Sequence, residues 1–363
     1  MGTTRPGDPD SSLPHTTIVE RDRSHRFVVN PLVSHVRANK QSAMDFAVAQ
    51  FKSHRVTAIG EQHNASFSSS GPNGCVRTFI RDLCETLHAD DDARFRFLAV
   101  ELDEQAMIAR VGHDWQATPL PPGIHNRKAQ WLVEEVRVGA TLGQIFQAIA
   151  RMPEDQVEVA LIDHRVGDLA YDRTNNYINW VFHNGAPDPR PGESPEQLEQ
   201  RRNMTPEERR QDYTRVSLER DIGAASNFER MVLNRIGDGR ALIYYGAAHL
   251  RESPSASDGQ EASGMTDNTF VRQLIERPNG LSADDIYSIA SVWPGMGRDE
   301  RTLSARELRR EQAHRIQLLR IFDVLRAEFP DDLNLGFDVD AAQFALRPID
   351  RGATYVLGER FDG

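Results

Sequence analysis

The chain has 363 residues, of which 39% are hydrophobic and 27% charged. That composition suits one large globular domain or two small ones, and it excludes a disordered or membrane-embedded class. A formal net charge of -11 argues against a general phosphate-backbone binder, so nucleic acid is not an expected partner. No apolar run approaches the roughly 18–20 residues that cross a bilayer, so no membrane partner is expected. The first residues lack the apolar segment of a secretory signal, which makes the cytoplasm the default location and leaves export by a non-standard route open.

Residues 1–17 are rich in Pro, Gly, Ser, Thr and Asp and are expected to be a disordered tail, leaving 18–363 as a single α/β domain. Met44, Ala47, Val48 and Phe51 stand at helical spacing and predict a helix over 42–54. A core strand over 56–60 rises into Gly60, and Glu61, His63 and a Ser/Gly-rich loop over 66–74 follow. The next helix carries Cys75 and Cys84, too far apart for a bridge on one helix and read as free thiols. A second strand over 95–101 ends in Glu101. Helices near 103–111 and 128–149 flank a Pro-rich loop, and a third strand over 157–163 runs into Asp163-His164-Arg165.

Residues 185–206 are Pro/Glu/Arg-rich and read as an exposed helical insertion into the main domain. Thr205-Pro206-Glu207-Glu208 supplies an N-cap, a first-position proline and first-turn acids for a helix reaching about residue 236. Val216, Leu218, Ile222, Ala225, Phe228, Val232 and Ile236 would form its apolar side. A fourth strand over 241–246 leads to His249, a polar loop covers 251–266 and a helix covers 267–276. A strand over 286–293, a long Arg-rich helix over 304–328 and a closing strand over 353–357 complete the chain. Apolar strands alternating with helices predict an α/β fold with a mainly parallel central sheet flanked by helices.

In such sheets ligands gather at the carboxyl ends of the strands. Glu61 and His63, Glu101, Asp163 and His164, and His249 all fall there. Alone, His63 reads as an ordinary loop histidine. The same strand–Gly-x-x-His spacing at Gly246 and His249 favours a shared site instead. A histidine can take a proton from water or bind a metal, and a carboxylate beside it can orient it. Arg220 and Asp221 share a helix with an apolar side, where a partly buried Arg can clamp a carboxylate or an oxyanion. Tyr244 and Tyr245 alternate across their strand, so only one can face a given side. There is no Gly-x-Ser-x-Gly elbow, His-Glu-x-x-His motif, Cys-x-x-Cys pair, P-loop or dinucleotide fingerprint.

The order Gly60-Glu61-x-His63, Glu101, Arg220-Asp221-x-x-x-Ala225-x-Asn227 and Gly246-x-x-His249 resembles the EreA/ChaN-like superfamily. That group holds erythromycin esterases, Tiki/TraB proteins and ChaN-type haem-binding lipoproteins, and the resemblance spans roughly residues 55–295. Ala224 and Ser226 stand where the esterase branch commonly carries Met and Glu. The resemblance implies a strand-end cleft built from Glu61, His63, Glu101, Arg220 and His249. The expected function is hydrolysis of an ester or amide in a small-molecule or peptide substrate, with His63 the first choice as base. Asp163, His164, Arg165, Asp221 and Asn227 are the substrate-binding candidates. A Tiki-type peptidase holding Zn or Mn, or a non-catalytic ChaN-type haem or ligand binder, are the alternatives.

Overall fold

The computed structural model describes residues 34, 37–38, 41–61, 72–135, 139–166, 177, 180–181, 185–189, 192–246, 249–250, 269–277, 280–292, 327–328, 334–337 and 353–356. The tail over 1–17, His63 with the loop after it, the polar loop over 251–266 and all but the last two residues of the helix expected over 304–328 lie outside them. So does the side chain of Glu61.

The elements, in chain order, begin with β1 (Gln41–Ser42), α1 (Ala43–Ser53), β2 (Val56–Glu61), α2 (Pro72–His88) and β3 (Phe95–Val100). Then come α3 (Glu104–Val111), α4 (Arg127–Glu135), α5 (Gly139–Ala150), β4 (Glu158–Leu161), α6 (Pro195–Arg202) and α7 (Pro206–Phe228). The last are β5 (Arg240–Gly246), α8 (Phe270–Ile275), β6 (Ile286–Val292), β7 (Asn334–Phe337) and β8 (Ala353–Val356). They build one sheet in the order β1-β7-β8-β6-β2-β5-β3-β4. The central pairs β6–β2, β2–β5, β5–β3 and β3–β4 are all parallel, and β7 runs antiparallel to both of its neighbours. The expected α/β architecture is present.

Side chains that alternate along the central strands feed two separate cores. Ile59, Leu98, Val100, Leu242 and Tyr244 pack against α1, α2, α4 and α5 on one face. Val56, Ala58, Ala99, Ile243 and Tyr245 pack against α7 and α8 on the other. Burial on both faces is why these strands read as near-continuous apolar runs. Helix α2, which follows β2, covers the first face, whereas α8, which follows β5, covers the second. Neighbouring strands whose chains leave toward opposite faces open a crevice at their carboxyl ends.

Helix α7 begins as its residues predict. Thr205 caps Glu208 N–H, Glu208 returns the bond to the Thr205 N–H, and Pro206 sits in the first turn. It passes into a π-helical turn at Glu229–Leu233. Its apolar side differs from expectation at Ile222, which is 40% exposed, while Asp221 is 5% exposed. The tertiary partner of Asp221 turns the helix that way. Helix α6 lies within the stretch 185–206 expected as a helical insertion. Ser194 and Gln197 form a second capping box opening α6. On α6 Arg201 donates to the nearly buried Glu193 at 2.6 Å, and its guanidinium lies 5.3 Å from the Trp180 ring centroid. Cys75 and Cys84 both lie on α2, and Cys84 is a buried free thiol whose pKa burial pushes upward. Among the described residues no helix is long and apolar enough to cross a membrane.

Candidate functional site

Adjacent strands bring the residues that lead into the two Gly-x-x-His stretches side by side. Gly60 on β2 pairs with Tyr245 on β5, and Glu61 pairs with Gly246, so the motifs are offset by one residue. On the other side of β5, Glu101 leaves the end of β3. Its Oε2 accepts from the Gly246 N–H at 2.6 Å and its Oε1 from Arg220 Nη2 at 2.5 Å. Both oxygens are thus engaged, one of them on the last residue of β5, three positions before His249.

Asp163 follows β4 with its side chain 0% exposed. Arg220 from α7 grips it with two parallel bonds, Nε to Oδ1 at 2.7 Å and Nη2 to Oδ2 at 2.9 Å. Such fork-to-carboxylate geometry fixes orientation as well as charge. The Tyr245 hydroxyl donates to Asp163 Oδ1 at 2.9 Å, and so does the His164 N–H at 2.9 Å. Arg220 Nη1 has no hydrogen-bond partner among the described residues.

One position along α7, Asp221 Oδ1 lies 2.7 Å from His249 Nδ1, with side chains 6% and 18% exposed. This bond sets the neutral tautomer: a proton on Nδ1 faces the carboxylate, and Nε2 keeps its lone pair. Nε2 has no partner among the described residues. Burial works against the imidazolium, but the charge and hydrogen bond of Asp221, helped by Glu101, outweigh burial and Arg220 and raise the His249 pKa above its ordinary value. Burial also opposes the Arg220 charge, yet Tyr245, Asp163 and Glu101 hold the guanidinium well above its usual range. Burial, followed by Asp163, pushes the Tyr245 phenol well up. The group is therefore a protonated Arg held between two carboxylates, beside a His–Asp pair that titrates above the ordinary histidine range.

The fold has distant likenesses among solved structures. A mutant of the erythromycin esterase EreC in its open conformation is 12% identical with a TM-score of 0.48, covering 88% of this chain and 94% of that one. A Bacillus cereus protein is 13% identical with a TM-score of 0.46, covering 92% and 96%. The type III effector HopBA1 is 13% identical with a TM-score of 0.35, covering 71% and 85%. No family model and no curated protein matches the chain. At these identities and TM-scores the likeness says nothing of residue roles or activity.

Of the residues singled out in the sequence, Glu101, Asp163, Arg220, Asp221 and His249 meet at one sheet edge. Asn227 stands behind them, donating to the Ile162 and Asp163 carbonyls at 3.3 and 3.2 Å and tying the end of β4 to α7. The Arg165 N–H donates to Asp103 Oδ2 at 2.9 Å, and its Nε lies 3.7 Å from Asp163 Oδ2. His164 is exposed and lies over Gly223 of α7. A Cβ at Gly223 would stand 2.0 Å from His164 Cδ2, so only glycine allows this approach. Glu61 reaches the same edge by its backbone register, and His63 lies outside the described residues.

Three participants escape a sequence reading. Tyr245 carries a strand-alternation signal, but its hydroxyl partner, Asp163, lies beyond the end of β4, far away in the chain. Asp103 reads as a helix cap and does cap α3, while its second oxygen holds Arg165. Gly223 looks like an ordinary helix glycine.

The described side chains do not fit a divalent cation. Among them no group of three or more His, Cys, Asp or Glu is placed to hold one. The space between Glu101 and Asp163 is filled by the guanidinium of Arg220.

Proposed function

We propose that the protein hydrolyses an ester or amide bond, with the strand-end cleft activating water. The observation that supports this reading is the Asp221–His249 pair, whose Nε2, like Arg220 Nη1, has no partner among the described residues. His249 Nε2 takes a proton from water as its oxygen attacks the carbonyl carbon. The carbonyl electron pair moves onto oxygen, where an Arg220 Nη1 N–H donates to the developing charge. On collapse the carbonyl re-forms, the bond to the leaving oxygen or nitrogen breaks, and the imidazolium returns its proton to that atom. Asp221 steadies the imidazolium throughout.

Arg220 serves as an oxyanion donor in this scheme and not as a clamp for a substrate carboxylate, because Glu101 and Asp163 already overcompensate its charge. Asp163 and Asn227 act behind it, and Glu101 holds the end of β5, three residues before His249. Glu61 and His63 are proposed to complete the cleft from β2, with His63 as a second base or ligand to the substrate.

Hydrolysis of p-nitrophenyl acetate and of a peptide p-nitroanilide tests this reading. His249→Ala and His63→Ala are each expected to fold and to lose about 10²–10⁴-fold in turnover. Near wild-type turnover by His249→Ala sinks the assignment. Turnover that vanishes on exhaustive chelation and returns with Zn or Mn would move the reading to a metal-dependent peptidase.

A further inference from the structure

The Tyr245 ring touches both halves of the site. Its hydroxyl is bonded to Asp163, and the Arg220 guanidinium carbon lies 6.0 Å from its ring centroid. The His249 imidazole meets it edge-to-face at 5.4 Å between centroids and 81° between planes. Phe270 stacks on it at 5.1 Å and 10°. With 1% of its surface exposed, the residue is walled in. We propose that Tyr245 is a positioning residue that holds the guanidinium of Arg220 and the imidazole of His249 in fixed relation to each other.

The hydroxyl and the ring have separable jobs. Asp163 Oδ1 receives Arg220 Nε, the Tyr245 hydroxyl and the His164 N–H, and these donors together hold the carboxylate plane. That plane decides which guanidinium nitrogens are engaged and therefore where Nη1 points. Removing the hydroxyl leaves the salt bridge but loosens the plane. The ring edge, braced by Phe270, instead limits rotation of the imidazole whose Nδ1 faces Asp221. The phenol is not itself an acid or base for substrate, because its oxygen is buried and committed to Asp163. A point-charge substitute for this arrangement does not exist, since alignment and not charge is what the ring supplies.

The proposal rests on the hydrolase reading only in its kinetic arm. Tyr245→Phe removes the hydroxyl alone, and Tyr245→Leu removes the ring as well. Nitrogen-15 NMR of the Arg220 Nε–H group and of the His249 ring reads both halves without any substrate. In Tyr245→Phe the Nε–H exchange with solvent is expected to speed up about tenfold while the His249 titration midpoint stays in place. Its kcat on p-nitrophenyl acetate is expected to fall about tenfold with little change in KM. In Tyr245→Leu the His249 midpoint moves too. Wild-type Arg220 exchange in Tyr245→Phe overturns the proposal, as does identical behaviour of the two variants, which would mark simple loss of packing. Faster Arg220 exchange in a protein whose wild type hydrolyses no ester or amide supports the positioning role and sinks the hydrolase reading.

Discussion

Replacing Asp221 with Asn keeps an oxygen beside His249 Nδ1 and removes its charge, so it isolates the electrostatic part of the pair. The 2.7 Å contact and side chains only 6% and 18% exposed leave little room for solvent screening. A hydrogen bond between charged partners in such a setting contributes about 1.5–3 kcal/mol. Its pH dependence has a definite sign. The His249 pKa is raised above the ordinary 6.5, so the pair's contribution is fully present below that value. It is lost as pH rises through the higher folded-state value. Urea unfolding of Asp221→Asn should therefore show a loss of about 1.5–3 kcal/mol near pH 5.5 and less than about 1 kcal/mol near pH 9.5. The remaining histidines cancel, because both proteins carry them. The same substitution lowers the pKa of the base, so the rising limb of the pH–rate profile should shift toward acid while its plateau falls. An equal stability loss at both pH values, or a limb that stays in place, refutes the assignment of His249 and Asp221 as a charged pair.

Arg220→Leu leaves the wholly buried Asp163 with only the longer 3.7 Å contact of Arg165 and takes the Arg220 cation from the partly buried Glu101. It should cost about 3–5 kcal/mol, read as a lower urea midpoint. Gly223→Ala should cost about 1–3 kcal/mol through the clash with the His164 ring. Adding His164→Ala should return only part of that loss, because it removes the ring but keeps the His164 Cβ, 2.7 Å from the added one. Thr205→Ala removes the side chain that caps α7 and should lower stability by about 1 kcal/mol in the same assay.

What could be read in advance follows the range of the interaction concerned. Strands β2 through β6 announced themselves because both faces are buried, and α7 because Thr205, Pro206 and Glu208 satisfy its first turn from within. Helix α6 has an equally complete box at Ser194 and Gln197 but no apolar stripe, so periodicity passed over it. It is held by the Arg201–Glu193 pair and by Trp180, which is a tertiary matter. The two-residue β1 and the four-residue β7 are too short to carry a period and exist because they pair with each other.

The site divides along the same line. Position was legible: a glycine or an acid at the end of an apolar strand places Glu101, Asp163 and His249 at one edge whatever the packing. Role was not, because it depends on which oxygen meets which donor across long chain separations. Glu101 looks like a partner for a histidine, yet its two oxygens go to Arg220 and to the Gly246 N–H at the end of β5. Asp221 looks like the surface neighbour of a buried Arg. It is instead the carboxylate on His249, while Arg220 turns to β3 and β4. Two consecutive residues of one helix thus divide the cleft: Arg220 binds the ends of β3 and β4, and Asp221 binds the residue that follows β5. The relative placement of imidazole and guanidinium is consequently a property of the register between α7 and the sheet. Gly223 bears on that register, because its missing Cβ lets the chain beyond β4 lie against the helix within one turn of both residues.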